Sequence, residues 1–594
     1  MKCNEESKSL PPSTGLFPPS NDHSDSQKLE MPKVFAVIIR LLLLCLICLL
    51  PTSYMKGANP EVRGTWLTTT GVDHVRSGFN TEATMEDLRA VGLNTTYVET
   101  WKNGYTNYPS QTLKSIIGTT DRNPTIGSSR DLVQETLIHA HRNQLEYYGW
   151  FEYGAMSQYI GGGGNPSNPL STYMKNRGWL LKNQAGEYAD GTNGGFAYMN
   201  VAVPEVRQFI INMTLEAVNR YDLDGIQFDD HMAWPINFGF DTTTINLYTS
   251  QTGNPAPTSP SNSQFSAWRQ QKVTDFAAEF YKVVKTARPE IKFSISPSIT
   301  SFSTTNYNAD WPLWESQEIF DEFAIQMYRS SLSSFNSIVN QQVTPFKPND
   351  LDKLVFGLRI NPSPLTPYAD VEAMIQRSRT EGAAGHSLWF SSGVLDFYEN
   401  QLTAFYDVAG QGHAQNPNFA ADHRPAPLIG TSAGGNLWDV NVIDADRYRI
   451  VAKIGSFWTE FNVAELAAGA QQLLVPGATQ VELLVDRRSA TSFLGDFDGD
   501  NNVDGTDFLA WQRGRGTTSG ATAFDGDANA DGKVDVLDLA HWQMNFGWMQ
   551  NDESISQFSV PEPSSAALLT TIILIGSAQI RCRRSEFFRK ILRA

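Results

Sequence analysis

Thiols are almost missing from this chain. Its 594 residues include four cysteines, Cys3, Cys45, Cys48 and Cys582, with none between residues 49 and 581. The body of the protein therefore has neither a disulfide framework nor a cysteine metal site, as suits a large exported protein whose core needs no staples. Histidine is scarce as well, at nine residues, and no His-Glu-x-x-His occurs. That argues against a metallohydrolase and predicts no cofactor for catalysis. The "HAH" at 139–141 is no substitute, because residues i and i+2 do not share a helix face. A basic stripe is also lacking: net charge is −17. Nucleic acid is excluded as a partner on that ground, and the acidic balance serves solubility.

What is present divides into segments, since the length exceeds one domain of roughly 100–200 residues. Residues 1–58 read as an upstream extension followed by a signal peptide: Lys33, an apolar run broken by Arg40, then small residues near Ala58. The polar residues before Met31 do not fit a signal, which points to Met31 as the start. At the other end, 560–594 holds Pro-Glu-Pro at 561–563, an apolar run from Ala566 to Ile580 and an arginine-rich tail. The run is short for a stable span of about 20 residues, and the tail would stay cytoplasmic.

Between residues 59 and 405, eight β-rich runs alternate with helical stretches: 63–70, 93–101, 147–154, 224–231, 291–298, 320–329, 354–361 and 385–392. Helical spacing is clear in "PEVRQFIINMTLEAVNRY" (204–221), where Val206, Phe209, Ile210, Met213 and Val218 are apolar and Pro204 opens the helix. Eight βα units predict an α/β fold, a (β/α)8 TIM barrel, whose active site faces the C-terminal strand ends.

The chemistry of those ends centres on "DLDGIQFDDH" (222–231). Buried strands do not usually end in paired carboxylates, because burying an unpaired carboxylate is unfavourable. At an open barrel mouth the pair can be wet and functional. Period-2 alternation puts Gln227, Asp229 and His231 on the inward face, with Asp230 opening the loop. Asp222 and Asp224 fall at the bottom end, where side chains serve stability. Paired carboxyls at such a mouth suit acid–base work, and glycoside hydrolysis is one reaction that takes two carboxyl groups across a bond. Asp229 and Asp230 are the first candidates. Glu152, beside Trp150 and Phe151 at the end of strand 3, is the second, because an apolar setting raises a carboxyl pKa toward that of a general acid. Glu99 and Asp310 are its rivals, Glu99 reading equally well as a hydrogen-bonded core carboxylate. Trp66, Trp101, Tyr105, Trp234, Tyr328 and Trp389 are placed to stack on sugars, and His231, Gln326, Tyr328 and Arg329 to bond hydroxyls. The competing reading is a glycan-binding or structural surface protein on an inactive barrel.

Residues 406–425 are rich in Gly, Asn, Pro and Ala and read as a linker. From 426 to 490, "DRYRIVAKIG" and "TQVELLVDRR" alternate like half-buried strands, predicting a small β-sandwich, fibronectin-like in type. Then a repeat of 31-residue offset fills 494–548. Oxygen-bearing side chains fall at loop positions 1, 3, 5, 9 and 12: Asp496, Asp498, Asp500, Asp504 and Asp507, then Asp527, Asn529, Asp531, Asp535 and Asp538. Oxygen donors at that spacing suit Ca2+, in an EF-hand-like pair. Asn501 stands where the first loop wants a turn glycine, and Asn tolerates that conformation.

Three resemblances follow from these motifs. "EVRGTWLTTTG", "WFEYG", "YDLDGIQFDDH", "SPSITSF" and "IQMYR", in collinear order with the last barrel strand, resemble the family-10 glycosyl-hydrolase-like proteins of bacteria. That resemblance implies a TIM barrel acting on a surface polysaccharide. The chain departs from it at Lys102–Asn103 and at Ser391–Ser392. The repeat resembles a type I dockerin pair, which implies structural Ca2+ and a cohesin-like partner. The C-terminal triplet, apolar run and arginines resemble a PEP-CTERM sorting signal. This last implies an exosortase-type processing enzyme and an exported, surface-associated protein with a transient membrane anchor.

Overall fold

The computed structural model describes residues 59–542 except 128, 163, 348, 362, 408–412, 420–422, 489–494, 496, 499–502, 520, 529–532, 537 and 540–541. The stretches read as a signal peptide (within 1–58) and as a sorting signal (560–594) lie outside the described residues. Among the described residues, no helix is long and apolar enough to cross a membrane.

Eight parallel strands close into a barrel: β1 (Val62–Leu67), β2 (Thr95–Glu99), β3 (Glu146–Phe151), β4 (Gly225–Asp229), β5 (Lys292–Ser296), β6 (Glu322–Gln326), β7 (Leu354–Arg359) and β8 (Gly385–Trp389). Closure is made by β1, which pairs with β2 (Gly64↔Thr95) and with β8 (Val62↔Gly385). All five residues of β4 are buried, because one face of a barrel strand meets the helices and the other the packed interior. Gly225 is required there: a Cβ would come within 2.4 Å of the Tyr148 ring. Inside the barrel, Trp66, Tyr97, Tyr148, Trp150, Ala324 and Val355 interlock. Outside, helix Pro204–Arg220 buries Val206, Phe209, Ile210, Met213 and Val218 as its spacing predicts.

The stretch read as a linker does more than connect. Ala414, Asn416, Phe419 and Arg424 are buried. Phe419 enters the barrel floor edge-on to Tyr148, and the Asn418 amide donates to Glu322 Oε2 at 2.7 Å. Among the described residues this stretch holds a short 3-10 helix, Pro417–Phe419, and its composition gave no sign of the packing around it. The chain then forms two small antiparallel sheets. One comprises β9 (Leu428–Ile429), β12 (Asp446–Ile454), β13 (Phe457–Leu466) and β15 (Ala478–Val485); the other comprises β10 (Thr431–Gly434), β11 (Leu437–Val442) and β14 (Gly469–Leu474). They share a core of Trp438, Val440, Ile450, Val481 and Leu483.

Buried charge ties this module to the barrel bottom. Arg424 bonds Asp222 Oδ2 at 2.8 Å and Asp224 Oδ1 at 2.6 Å, and Arg487 reaches Asp224 at 2.7 Å and Glu146 at 2.8 Å. His141 sits between them. Burial first, and Arg424 second, hold its pKa down to about 4. Neutral at pH 7, it accepts from Arg449 Nη1 on Nδ1 and donates from Nε2 to Asp224 Oδ2 at 3.0 Å. Asp222 and Asp224 thus occupy the bottom end as expected.

Breaking a buried pair leaves its partner uncompensated, so Asp224→Ala should lose about 3–5 kcal/mol in urea unfolding. Burial alone would raise the Asp224 pKa, but Arg424, His141 and Arg487 outweigh it and hold it well below the carboxylate range. The stabilisation is therefore present above the unfolded value of about 3.9 and is lost as pH falls below it. Asp224→Asn should flatten that acid limb; an unchanged limb would contradict the assignment.

Candidate active site

The C-terminal strand ends gather an acidic wall on β3 and β4. Asp229, only 6% exposed, ends β4 with both oxygens engaged. Oδ2 accepts from Trp150 Nε1 at 3.2 Å, while Oδ1 accepts from Gln326 Nε2 and from the Asp230 amide at 2.8 Å. Burial, then the charges of Asp230 and Glu152, push its pKa well above the usual carboxylate value. Asp230 lies further out. Its Oδ2 accepts from Ser298 Oγ at 2.6 Å and its Oδ1 is 3.3 Å from His231 Nε2. The other His231 nitrogen is 3.2 Å from the Glu152 carbonyl, so the imidazole spans the two strand ends.

Glu152 follows β3, and burial raises its pKa to about 7. The Glu99 charge adds to that rise, while Lys102 opposes it from 2.7 Å. Lys102 also contacts Glu99 Oε2 at 2.7 Å. Glu99 itself is fully buried and accepts from Thr68 Oγ1, the Thr69 amide and hydroxyl, and Asn107. Burial would raise it, yet Lys102 and these donors hold it below the ordinary value. Glu99 is thus an ionised fixture, and Lys102 is the cation between it and Glu152.

Under the acids lies an aromatic floor. Trp389 stacks on Tyr328 with centroids 5.7 Å apart and meets Trp66 and Trp150 edge-on at 5.7 and 5.6 Å. A polar chain descends from it: Trp66 Nε1 donates to Gln227 at 2.7 Å, Gln227 to Ser294 at 2.9 Å, and Ser294 to Glu322 at 2.8 Å. A cavity of about 420 Å³ lies at the opposite end, bordered by Phe419, Asp486 and Arg487. It lies between the barrel bottom and the docked module, remote from the acids of the mouth.

The repeat forms a pseudo-symmetric pair. Asp507 accepts from the amides of Phe497 (2.6 Å) and Asp504 (2.7 Å); Asp538 accepts from those of Ala528 (2.9 Å) and Asp535 (2.7 Å). Trp511 Nε1 donates to the Asp535 carbonyl and Trp542 Nε1 to that of Asp504, both at 2.8 Å. Asp496, Asp500, Asn529 and Asp531 lie outside the described residues. Burial and the charge of Asp498 raise the Asp507 pKa to about 6, the strain that a bound cation would relieve.

Residues 61–355 match the family described as Glycosyl hydrolase-like 10. The barrel belongs to that family. Residues 494–543 match the Dockerin type I domain. Among relatives of this glycosyl hydrolase-like 10 barrel, Glycosyl hydrolase DigH of Escherichia coli K12 is 24% identical over 36% of this chain and 46% of its own length. Glycosyl hydrolase YngK of Bacillus subtilis is 22% identical over 49% of this chain and 58% of its own. The chain thus spans about half the length of the curated relatives it matches. A solved glycoside hydrolase domain, PgaB (BpsB) of Bordetella bronchiseptica, covers 59% of this chain and 99% of itself, at 12% identity and a TM-score of 0.45. That likeness is too slight to bear on the chemistry.

The fold brings together Asp229, Asp230, Glu152, His231, Gln326, Tyr328 and Trp389. It does not bring Trp101, which is fully buried against Phe209 with Nε1 on the Gly154 carbonyl; it packs in the helix layer and is unavailable for stacking. Trp234 is buried likewise, bonded to the Phe238 carbonyl. Asp310 caps helix Trp311–Ser316. Tyr105 lies half-buried on a hairpin beyond β2. Arg329 bonds the Tyr328 carbonyl at 2.8 Å. Sequence reasoning passed over Trp150 and Ser298 as ligands of the aspartates, and Lys102 as a partner of the acids. Its spacing of three residues from Glu99 was the available signal. Removing that cation with Lys102→Met should move the Glu152 midpoint above 7, read by carboxyl-carbon NMR titration; a fall would contradict the electrostatics described.

Proposed function

We propose that the barrel is a glycoside hydrolase acting on a polysaccharide, with carboxylates as its only catalysts. The observation that supports this best is the convergence of Glu152, Asp229 and Asp230 over an aromatic floor at the C-terminal strand ends. Each carboxyl suits a different task. Glu152, raised to about 7, retains its proton near neutrality and serves as general acid to the leaving oxygen. Asp230, outermost and oriented by Ser298 and His231, faces the anomeric centre. Asp229, with both oxygens engaged, holds Asp230 in place and adds a charge-sensitive neighbour. Tyr328 and Trp389 support the ring, and Gln326, His231 and Arg329 reach its substituents.

One observation favours a second reading, a binding module on an inactive barrel. Lys102 sits 2.7 Å from Glu152 and stabilises its ionised form, which cannot donate a proton. Hydrolysis of a glycan library by the full chain decides between them. Glu152→Gln and Asp230→Asn should each lower turnover by about 10²-fold or more, and the rate should fall as pH rises past about 7, where Glu152 loses its proton. Near-full activity in both variants removes these carboxyls as the catalysts, and no hydrolysis of any glycan by the full chain sinks the hydrolase reading.

The dockerin-type pair belongs, in this reading, to an exported and surface-associated protein. Its six described carboxylates, Asp498, Asp504, Asp507, Asp527, Asp535 and Asp538, would hold Ca2+ with Asp496, Asp500, Asn529 and Asp531. Ca2+ would supply fixed positive charge that lets like-charged ligands converge. A cohesin-like domain is the partner this module would take, and exosortase-type processing would remove residues 560–594. Calorimetry should show a Ca2+-dependent transition that chelator lowers; identical scans with and without chelator contradict it.

A further inference from the structure

Among the described residues, Arg359 at the mouth has no counter-charge. Arg359 ends β7 and continues the inward face of Val355, which packs among Trp66, Tyr97 and Ala324 inside the barrel. Its register partner on β8 is Trp389. Among the described residues no carboxylate pairs with it, and its Nη1 is buried without a hydrogen bond. The acids that could have served are occupied elsewhere. Glu99 and Glu152 hold Lys102, and Asp396, on the segment after β8, is taken by Ser392 at 2.7 Å and His74 at 3.3 Å. Two residues beyond Arg359 on the same face, Asn361 Oδ1 is also buried and unbonded. Beyond β6, the Arg329 guanidinium donates to the neighbouring Tyr328 carbonyl at 2.8 Å and, among the described residues, meets no carboxylate.

Arg359 is half-buried, and leaving one of its guanidinium nitrogens buried without an acceptor is unfavourable, so a guanidinium in this position fits a site whose acceptor and counter-charge arrive with the ligand. The ring order places β7 opposite β3, so Arg359 faces the acidic wall from across the mouth, where repulsion of an anion is weakest. Beside it stands the Trp389–Tyr328 stack, a platform for a pyranose face. The planar fork of arginine binds carboxylate or sulfate through two parallel hydrogen bonds, a geometry that neutral hydroxyls do not match.

From this arrangement we infer that the β6–β8 side of the mouth is a subsite for a sugar carrying an anionic substituent, a carboxylate or a sulfate ester. Arg359 is its principal contact, Asn361 accepts from a neighbouring hydroxyl, and the substrate is an acidic polysaccharide. This rests on the proposed function only in that the mouth binds a glycan; it does not require that the glycan be cleaved.

Isothermal titration of the full chain with matched neutral, uronate-bearing and O-sulfated oligosaccharides, at constant ionic strength, tests it. At least one acidic member should bind roughly 10-fold or more tighter than its neutral counterpart, and the arm that does so separates carboxylate from sulfate. Arg359→Met should remove that preference while leaving neutral affinities in place, and Arg359→Lys, which keeps the charge but not the fork, should restore part of it. If Arg359→Met does not fold, the wild-type comparison alone still decides. Equal binding of acidic and neutral partners, binding of neutral ones alone, no binding in any arm, or a preference that survives Arg359→Met overturns the inference. A preference without hydrolysis leaves the subsite standing and removes the hydrolase reading; hydrolysis of a neutral glycan without a preference does the reverse.

Discussion

Asp229 is held at the end of β4 by three donors, Trp150 Nε1, Gln326 Nε2 and the Asp230 amide, and the mouth is organised around it. The donors favour its charge; burial and the adjacent Asp230 oppose it, and opposition prevails. The same contest recurs at Glu152, where burial wins over Lys102, and is reversed at Glu99, where Lys102 and a full set of donors win over burial. Three carboxyls within one low-dielectric mouth are thereby driven apart in proton affinity. Such separation is how a site obtains a proton donor and a charged carboxylate at one pH.

The bottom of the barrel solves the opposite problem. There Asp222 and Asp224 are matched by Arg424, Arg449 and Arg487, and a neutral His141 completes the network. Charge at this end is compensated within the protein and holds the β module in place. At the mouth Arg359 has no carboxylate partner among the described residues, and its Nη1 is buried without a hydrogen bond. One chain therefore uses buried charge in two ways, saturated where it must hold and unsaturated where a ligand can enter.

Much of this was legible in the sequence, because it depends on local periodicity. Eight β-rich runs, the alternation that turns Asp229 inward, and the 31-residue repeat are short-range patterns, and each appears in the fold. What was not legible depends on contacts distant in the chain. Trp101 resembles a sugar platform at a strand end, but a helix residue more than 100 positions away, Phe209, covers it. The linker composition concealed Phe419 and Arg424, whose partners lie in β3 and beside β4. Arg359 was visible as a lone basic residue closing a strand, yet its isolation is a property of the assembled ring.

The central claim is that the crowded mouth keeps a carboxyl protonated at neutral pH. Infrared difference titration of the carboxyl stretch, comparing the wild-type chain with Asp229→Asn and Glu152→Gln, tests it most directly. The account predicts protonated carboxyl signal persisting near pH 7 in the wild type and diminished in each variant. Complete ionisation by about pH 5, as for ordinary carboxylates, with no difference between the three proteins, would contradict it.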